Sequence, residues 1–147
     1  MIKKTMNYLL PACLLIILTV SPSLAITPKA PPASKATHIT AEEVNKMFED
    51  QADFLLIDAR YDELFKDGHI PGAISLPADV VNAETLAEHS DDMSKKLVFY
   101  CQDINCPASR IGAAKAIGAG YKYVYEFSGG YEDWKSHGYK VTKAQLK

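Results

Sequence analysis

The sequence has no excess of basic residues, no internal repeat and no residue spacing typical of a metal site. Its 16 lysines and arginines are balanced by 18 acidic residues, which gives a net charge of −2. Without a basic excess the chain lacks the electrostatic basis of nucleic-acid binding. His38, His89 and His137 are isolated, so the sequence predicts neither a metal site nor a cofactor.

Residues 1–25 have the pattern of a secretory signal peptide. Lys3 and Lys4 make a basic start, an apolar stretch follows, and small residues predict cleavage after Ala25. The alternative is an uncleaved membrane anchor, because the apolar stretch approaches the roughly 20 residues that cross a bilayer. Removal of this segment, which holds two lysines and no acidic residue, takes the net charge from −2 to −4. We expect a periplasmic or secreted protein, attached to a membrane only if the segment is retained.

Cysteine is scarce in the domain that follows. Proline and alanine dominate residues 26–36, which predicts an extended linker, and residues 37–147 then form one domain with a hydrophobic core. Of the three cysteines in the chain, only Cys101 and Cys106 fall within this domain. A bridge between them would close a short loop and stabilise the fold weakly, because it restricts little chain entropy. We therefore expect the pair to serve chemistry rather than stability.

Helical and extended patterns alternate along the domain. Thr40 and Glu43 form a capping box that starts a helix, and the apolar run 54–57 indicates a strand buried on both faces. Further strands are predicted at 73–76, 97–100 and 123–127, and further helices at 61–66, 83–89, 109–119 and 131–136. Strands separated by helices predict an α/β fold with a central, mostly parallel sheet flanked by helices on both faces.

Cys101 comes directly after the predicted strand 97–100 and opens the loop that leads to the next helix. In that position, backbone N–H groups and the helix dipole can stabilise a thiolate. The position therefore predicts that Cys101 is a nucleophile.

Four segments, in this order, resemble the rhodanese (sulfurtransferase) homology domain. They are Leu56-Ile57-Asp58-Ala59-Arg60, then Gly68-His69-Ile70-Pro71-Gly72-Ala73, then Cys101, and finally Gly129-Gly130-Tyr131 with Trp134 and Gly138. The resemblance covers roughly residues 39–141 and implies a single small α/β domain with the cysteine loop as its active site. It also implies that Cys101 accepts sulfur from a small sulfane-sulfur donor, holds it as a persulfide and passes it to a thiol acceptor, which can be a protein.

The resemblance gives several other residues a structural part near this site. Asp58 and Arg60 match the Asp-x-Arg of the family, whose charge-assisted hydrogen bonds hold loops near the site. His69 lies in a tight turn, where its ring is expected to bond the backbone. Gly129 and Gly130 supply a turn close to the cysteine loop.

The cysteine loop departs from the family pattern, in which the sixth residue is an arginine. In one alignment Cys106 takes the arginine's place at the helix cap and Pro107 takes the first helical position. In the other, the loop is two residues longer, Ala108 replaces the arginine and Ser109 matches the small residue after the loop. Loss of the arginine, together with the charge of Asp103, predicts poor use of dianionic thiosulfate.

Two features of the loop bear on mechanism. Its backbone amides are expected to stabilise the anion on Cys101. Cys106 can attack the persulfide, release sulfide and leave a disulfide, or make a dithiol redox couple with Cys101, or serve only as a small buried cap residue. The amides in question belong to Gln102, Asp103, Ile104, Asn105 and Cys106.

Other classes of function fit the sequence less well. A cysteine phosphatase or arsenate reductase needs Cys-x5-Arg, whereas the first arginine after Cys101 is Arg110. A non-catalytic rhodanese-like binding module remains an alternative, although such modules often lose the cysteine. The sequence therefore predicts an exported sulfurtransferase that uses Cys101, with a dithiol redox protein or a binding module as alternatives.

Overall fold

The computed structural model describes residues 35–143. The signal segment, its cleavage after Ala25 and most of the 26–36 linker lie outside this range and stay predictions. Among the residues described, no helix combines the length and apolar character needed to cross a membrane.

In the described part of the chain, five parallel strands form one sheet in the order β1-β5-β4-β2-β3. The central strands are the apolar runs of the sequence, as expected where both faces of a parallel sheet are covered. The strands are β1 (Thr37–His38), β2 (Phe54–Asp58), β3 (Ile74–Ser75), β4 (Lys96–Tyr100) and β5 (Tyr123–Phe127). The predicted α/β fold is confirmed. Strand β1 was not predicted, because two exposed residues give no apolar run.

Within residues 35–143, five helices accompany the sheet, and their ends differ from the predicted ones by at most two residues. They are α1 (Ala41–Glu49), α2 (Asp62–Asp67), α3 (Ala83–Ala87), α4 (Ala108–Ala119) and α5 (Gly130–Ser136). The predicted capping box of Thr40 and Glu43 is present at the start of α1. Gly120 follows the last residue of α4 and has the left-handed conformation that is typical of a glycine after a helix.

The sheet separates two apolar clusters, because successive side chains of a strand point to opposite faces. One face packs against α3 and α4, and the other packs against α1 and α5. The first cluster includes Ile57, Leu86, Phe99, Ala113 and Ala116, and the second includes Val44, Leu56, Val98, Tyr100 and Trp134. Helices therefore cover both faces, as predicted.

Gly112 allows α4 to lie directly on the sheet. A Cβ atom there would come 2.8 Å from Cδ1 of Phe99, a fully buried residue of β4. Gly118 in the same helix has nothing within 4 Å of the equivalent position. The close contact at Gly112 sets the distance between α4 and β4, the two elements that the cysteine loop joins.

We expect Gly112→Ala to lower the free energy of unfolding by about 1–3 kcal/mol, because the added methyl group must displace the Phe99 ring. Gly118→Ala is the matched control, and it should raise the free energy of unfolding by about 0.5–1 kcal/mol because alanine is the better helix former. Urea unfolding of both variants beside the wild type measures the two effects. A stabilising Gly112→Ala would contradict the packing argument.

Candidate active site

Cys101 lies at the carboxyl end of the sheet, directly after the last residue of β4. Strands β2 and β5 flank β4, and the amide of Ala59 donates to the carbonyl of Tyr100 over 2.9 Å. Cys101 is 2% exposed, whereas Cys106 is half-buried. The backbone thus holds the Cys101 sulfur at the base of the loop, at the sheet edge where the sequence predicts it.

A disulfide joins Cys101 to Cys106, with their Cα atoms 6.1 Å apart. This separation is ordinary for a disulfide. Because the nucleophilic form of cysteine is the thiolate, Cys101 becomes a nucleophile only after this bond is reduced. The arrangement brings together the two residues that the sequence singled out as a working pair.

Asp103 accepts two hydrogen bonds within the loop between the cysteines. Its side chain accepts from the amide of Asn105 over 2.8 Å, and its carbonyl accepts from the amide of Cys106 over 3.1 Å. Two of the five amides expected to cradle an anion are therefore engaged within the loop. The bond to Asn105 is of a common kind, because an aspartate side chain readily bonds the backbone two residues on. The five-amide cradle stays a prediction.

The helix after the loop starts one residue later than the first alignment expects. Pro107 is the cap of α4, Ala108 is the first helical residue, and the carbonyl of Pro107 accepts from Ile111 over 3.0 Å. Cys106 therefore precedes the cap. Ser109 is buried, and its hydroxyl donates to Glu126 over 3.2 Å.

A buried ion pair between Asp58 and Arg60 lies beside the cysteine loop and contacts it through Gln102. Asp58 is fully buried and Arg60 is 4% exposed, and the guanidinium donates to the carboxylate from Nε over 2.9 Å and from Nη2 over 2.6 Å. Arg60 also donates from Nη1 to Oε1 of Gln102 over 2.8 Å and from Nη2 to the carbonyl of Gly68 over 2.7 Å. Four of its five N–H groups are thus engaged. Burial lowers the pKa of Arg60, but the hydrogen bonds that Arg60 donates to Asp58, together with the negative charge of that carboxylate, outweigh it, so the pKa is raised.

Two tyrosines complete the surroundings of this pair. The Tyr100 hydroxyl donates to Asp58 over 2.6 Å and accepts from the amide of Ile70 over 3.2 Å. Burial, and then the neighbouring carboxylate, raise the pKa of Tyr100, so it stays a neutral donor. The Arg60 guanidinium lies 4.4 Å from the centre of the Tyr131 ring, close enough for a cation–π contact.

Helix α5 covers the cysteine loop from the other side. The amide of Tyr131 donates to the carbonyl of Cys101 over 2.8 Å, and the amide of Glu132 donates to the carbonyl of Gln102 over 2.9 Å. Gly130 has φ +69°, and a Cβ atom there would come 2.5 Å from the Cys101 oxygen. Glycine at position 130 therefore allows α5 to approach the loop, while Gly129 has no room for a side chain beside Asp133.

His69 lies in the turn before β3. Its Nδ1 is 2.8 Å from the carbonyl oxygen of Phe65, and its ring stacks on the Phe65 ring with centres 3.7 Å apart. Its backbone pairs with Thr142. His69 is thus bonded to the backbone, and it does not line the cleft at the cysteines.

An apolar cleft of about 450 Å³ opens over the two cysteines. Its lining residues include Arg60 and Gln102, and others belong to α2 and to the first turn of α4. Among residues 35–143, no group of three or more histidine, cysteine or acidic side chains is placed to hold a metal ion. The cleft is the part of the site through which a substrate can reach the sulfur atoms.

Sequence reasoning missed three of these contributions. Gln102 was expected to act only through its amide, yet its side chain bridges Arg60 and Glu132. Tyr100 and Tyr131 were assigned no part in the site. Their positions beside Cys101 and after the glycine pair were the available signals, but a local pattern does not show which distant carboxylate or guanidinium a tyrosine will meet.

The fold and the cysteine loop define a small α/β protein with a sulfur site at the carboxyl edge of its sheet. The rhodanese-like domain family matches residues 40–137, which is most of the chain. The chain therefore belongs to the rhodanese-like domain family.

Named relatives point in the same direction. Thiosulfate sulfurtransferase GlpE of Pseudomonas syringae pv. syringae is 33% identical over 82 residues, which are 56% of this chain and 73% of the relative. Thiosulfate sulfurtransferase GlpE of Coxiella burnetii is 29% identical over 103 residues, which are 69% of this chain and 86% of the relative. These similarities, at modest identity, support a sulfurtransferase family.

Solved structures share the fold. The BH2092 protein from Bacillus halodurans has a TM-score of 0.68 and 27% identity, over 74% of this chain and 77% of that one. The human single domain sulfurtransferase TSTD1 has a TM-score of 0.59 and 23% identity, over 69% of this chain and 96% of that one. The second likeness is one of fold alone.

The approach of α5 to the cysteine loop can be tested at two glycines with similar φ. Gly130→Ala should lower the free energy of unfolding by about 2–5 kcal/mol, because left-handed strain and a backbone clash add together. Gly138 has φ +73° and nothing within 4 Å, so Gly138→Ala should cost only about 1–2 kcal/mol of strain. Urea unfolding separates the two, and equal losses would contradict the proposed clash.

The buried ion pair gives a second test. Asp58→Asn should lower the free energy of unfolding by about 3–5 kcal/mol, because it leaves the Arg60 charge buried without a partner. Asp53→Asn is the control: Asp53 pairs with Lys95 but its side chain is 86% exposed, and the loss should stay within about 1 kcal/mol. Similar losses in the two variants would show that the Asp58 pair does not act as a buried one.

Proposed function

We propose that the protein is an exported sulfurtransferase in which Cys101 carries sulfane sulfur as a persulfide. The observation that carries the proposal is the position of Cys101, buried at the base of the cysteine loop and joined to Cys106 beneath an open cleft. Membership of the rhodanese-like family and the names of the relatives add support. Residues 1–25 support export to the periplasm or the exterior.

The proposed cycle begins with reduction of the disulfide. An external dithiol, or two thiols, supplies two electrons and leaves as its own disulfide, which frees both cysteines. The Cys101 thiolate then attacks the outer sulfur of a donor R–S–SH. The bond between the two donor sulfurs breaks, R–S⁻ leaves with the electron pair, and the outer sulfur stays on Cys101 as a persulfide.

The persulfide has two ways to lose its outer sulfur. A thiol acceptor can attack that outer sulfur, which transfers it and returns Cys101 as a thiolate. Alternatively, the Cys106 thiolate attacks the inner sulfur, HS⁻ leaves with the electron pair, and the Cys101–Cys106 disulfide forms again. The second way gives Cys106 the role of resolving thiol.

Thiosulfate should be a poor donor in this cycle. The positive charge of Arg60 is paired with Asp58, and four of its five N–H groups are engaged. The loop contributes the negative charge of Asp103. The amides of Asn105 and Cys106, which are the loop amides farthest along the chain from Cys101, already donate to Asp103. A dianionic donor gains little favourable electrostatic energy in such surroundings, and a neutral or singly charged donor is less affected by their charge.

A second candidate function is dithiol–disulfide exchange without sulfur transfer. The disulfide itself favours it, because a bonded pair is the oxidised half of such a couple. The two functions differ in one measurable way, since only the sulfurtransferase ever gains a sulfur atom.

Intact mass spectrometry after incubation with a sulfane-sulfur donor tests the proposal. Reduced Cys106→Ser should gain one sulfur atom and keep it, because no resolving thiol is present. Reduced Cys101→Ser should gain none. The reduced wild type should release sulfide and lose two hydrogen atoms as the disulfide forms.

Other results of the same experiment would reject parts of the proposal. An adduct that survives Cys101→Ser rules out Cys101 as the carrier. A pair that cycles between dithiol and disulfide but never gains sulfur supports the redox protein, and no change in any species supports a binding module. Mass spectra of protein from the native host that still include residues 1–25 would contradict cleavage after Ala25.

A further inference from the structure

Three large apolar side chains of the cleft over the cysteines belong to neither hydrophobic cluster. Tyr61 is 68% exposed, Leu64 is 42% exposed and Ile111 is 45% exposed, and none of the three packs into the two apolar clusters of the fold. Helix α2, which carries Leu64, has no buried residue at all. In the described part of the fold, these apolar side chains therefore line the cleft and do not belong to the hydrophobic core.

These side chains come from different elements and line the same cleft as the two cysteines. Leu64 comes from α2, and Ile111 comes from the first turn of α4, which also contributes Ala108 to the lining. Cys101 and Cys106 line this cleft as well. A molecule whose reactive sulfur reaches Cys101 must therefore place its remaining atoms against these apolar walls.

Charge in the cleft does not favour a strongly anionic molecule. Asp79 is a lining residue, and the Arg60 charge is paired with Asp58. Lys115 is directed at the cleft's own backbone, since its Nζ donates to the carbonyls of Ala78 and Asp79 over 2.8 Å each. The cleft thus has a volume in the range of small-molecule sites and an apolar surface with no unpaired cation among its lining residues.

We propose that this cleft binds the carbon group of the sulfur donor, and that the donor is an organic sulfane-sulfur compound with an apolar carbon group. This inference rests on the proposed sulfurtransferase function and adds the class of its substrate. The apolar group lies against Leu64 and Ile111, and the sulfane sulfur points to Cys101. Burial of the carbon group then contributes to the rate of sulfur transfer.

Alkyl thiosulfonates, R–SO2–S⁻, are suitable probes because their charge and reactive group stay constant while R grows. The Cys101 thiolate attacks the outer sulfur, the sulfur–sulfur bond breaks, and the sulfinate R–SO2⁻ leaves with the electron pair. The outer sulfur stays on Cys101 as Cys101–S–S⁻. Reduced Cys106→Ser protein is the background for all measurements, since the persulfide then accumulates and can be followed by intact mass.

Rate constants for methane-, propane- and pentane-thiosulfonate are each divided by the rate constant of the same probe with a small free thiol. This ratio removes the intrinsic effect of R on reactivity. We expect the ratio to rise with chain length, by up to about fourfold for each methylene that is fully buried. Leu64→Ser and Ile111→Ser should each flatten the rise. Tyr123→Ser, which removes an exposed apolar side chain at the opposite end of β5, should leave the rise as it is.

Each outcome bears on one claim. A ratio that does not depend on R, or a rise that survives both Leu64→Ser and Ile111→Ser, overturns the inference about the cleft and leaves sulfur transfer by Cys101 intact. Absence of a persulfide with every probe overturns the proposed function instead. Urea unfolding of the serine variants confirms that a flattened rise reflects the cleft and not a loss of fold.

Discussion

The buried ion pair between Asp58 and Arg60 holds together the segments that make the sulfur site. Asp58 ends β2, while Arg60 reaches the turn at Gly68 and the side chain of Gln102 in the cysteine loop. A buried charge without its partner is strongly destabilising, so each bond in this set depends on the others. The pair therefore links the cysteine loop and the turn at Gly68 to the end of β2.

That structural duty limits what Arg60 can do for a substrate. An arginine can bind an anionic donor strongly when its N–H groups point outward in a fork, but here four of the five are directed at the protein. The position where the family pattern has an arginine is Cys106 in one alignment and Ala108 in the other. The surroundings of Cys101 thus offer few free cationic groups, and they include a second sulfur atom and an apolar cleft.

The position of Cys101 reconciles burial with reactivity. Helix α5 binds the carbonyls of Cys101 and Gln102 through the amides of Tyr131 and Glu132, so the backbone around the sulfur is held on one side. On the other side the cleft opens. The cleft is therefore the side from which a molecule can reach this sulfur.

Much of this protein follows from the sequence, because its signals are local. The apolar runs, the capping box at Thr40 and the glycine after α4 predict the strands and helices, and the four motifs predict the family and Cys101. The two exposed residues of β1 give no such signal, since their pairing depends on β5, 88 residues away along the chain. The sequence also allowed two positions for Cys106 relative to the helix and three interpretations of its thiol.

Only the tertiary structure decided how the loop residues meet their partners. The bond between Cys101 and Cys106, the closure of the loop on Asp103, the bridge from Arg60 to Gln102 and the side chains that line the cleft all depend on it. These features arise where three strand ends, a turn and two helices converge, and residue order alone does not specify the distances between them. Local chemistry predicts which sulfur reacts, and long-range packing determined which charges and surfaces surround it.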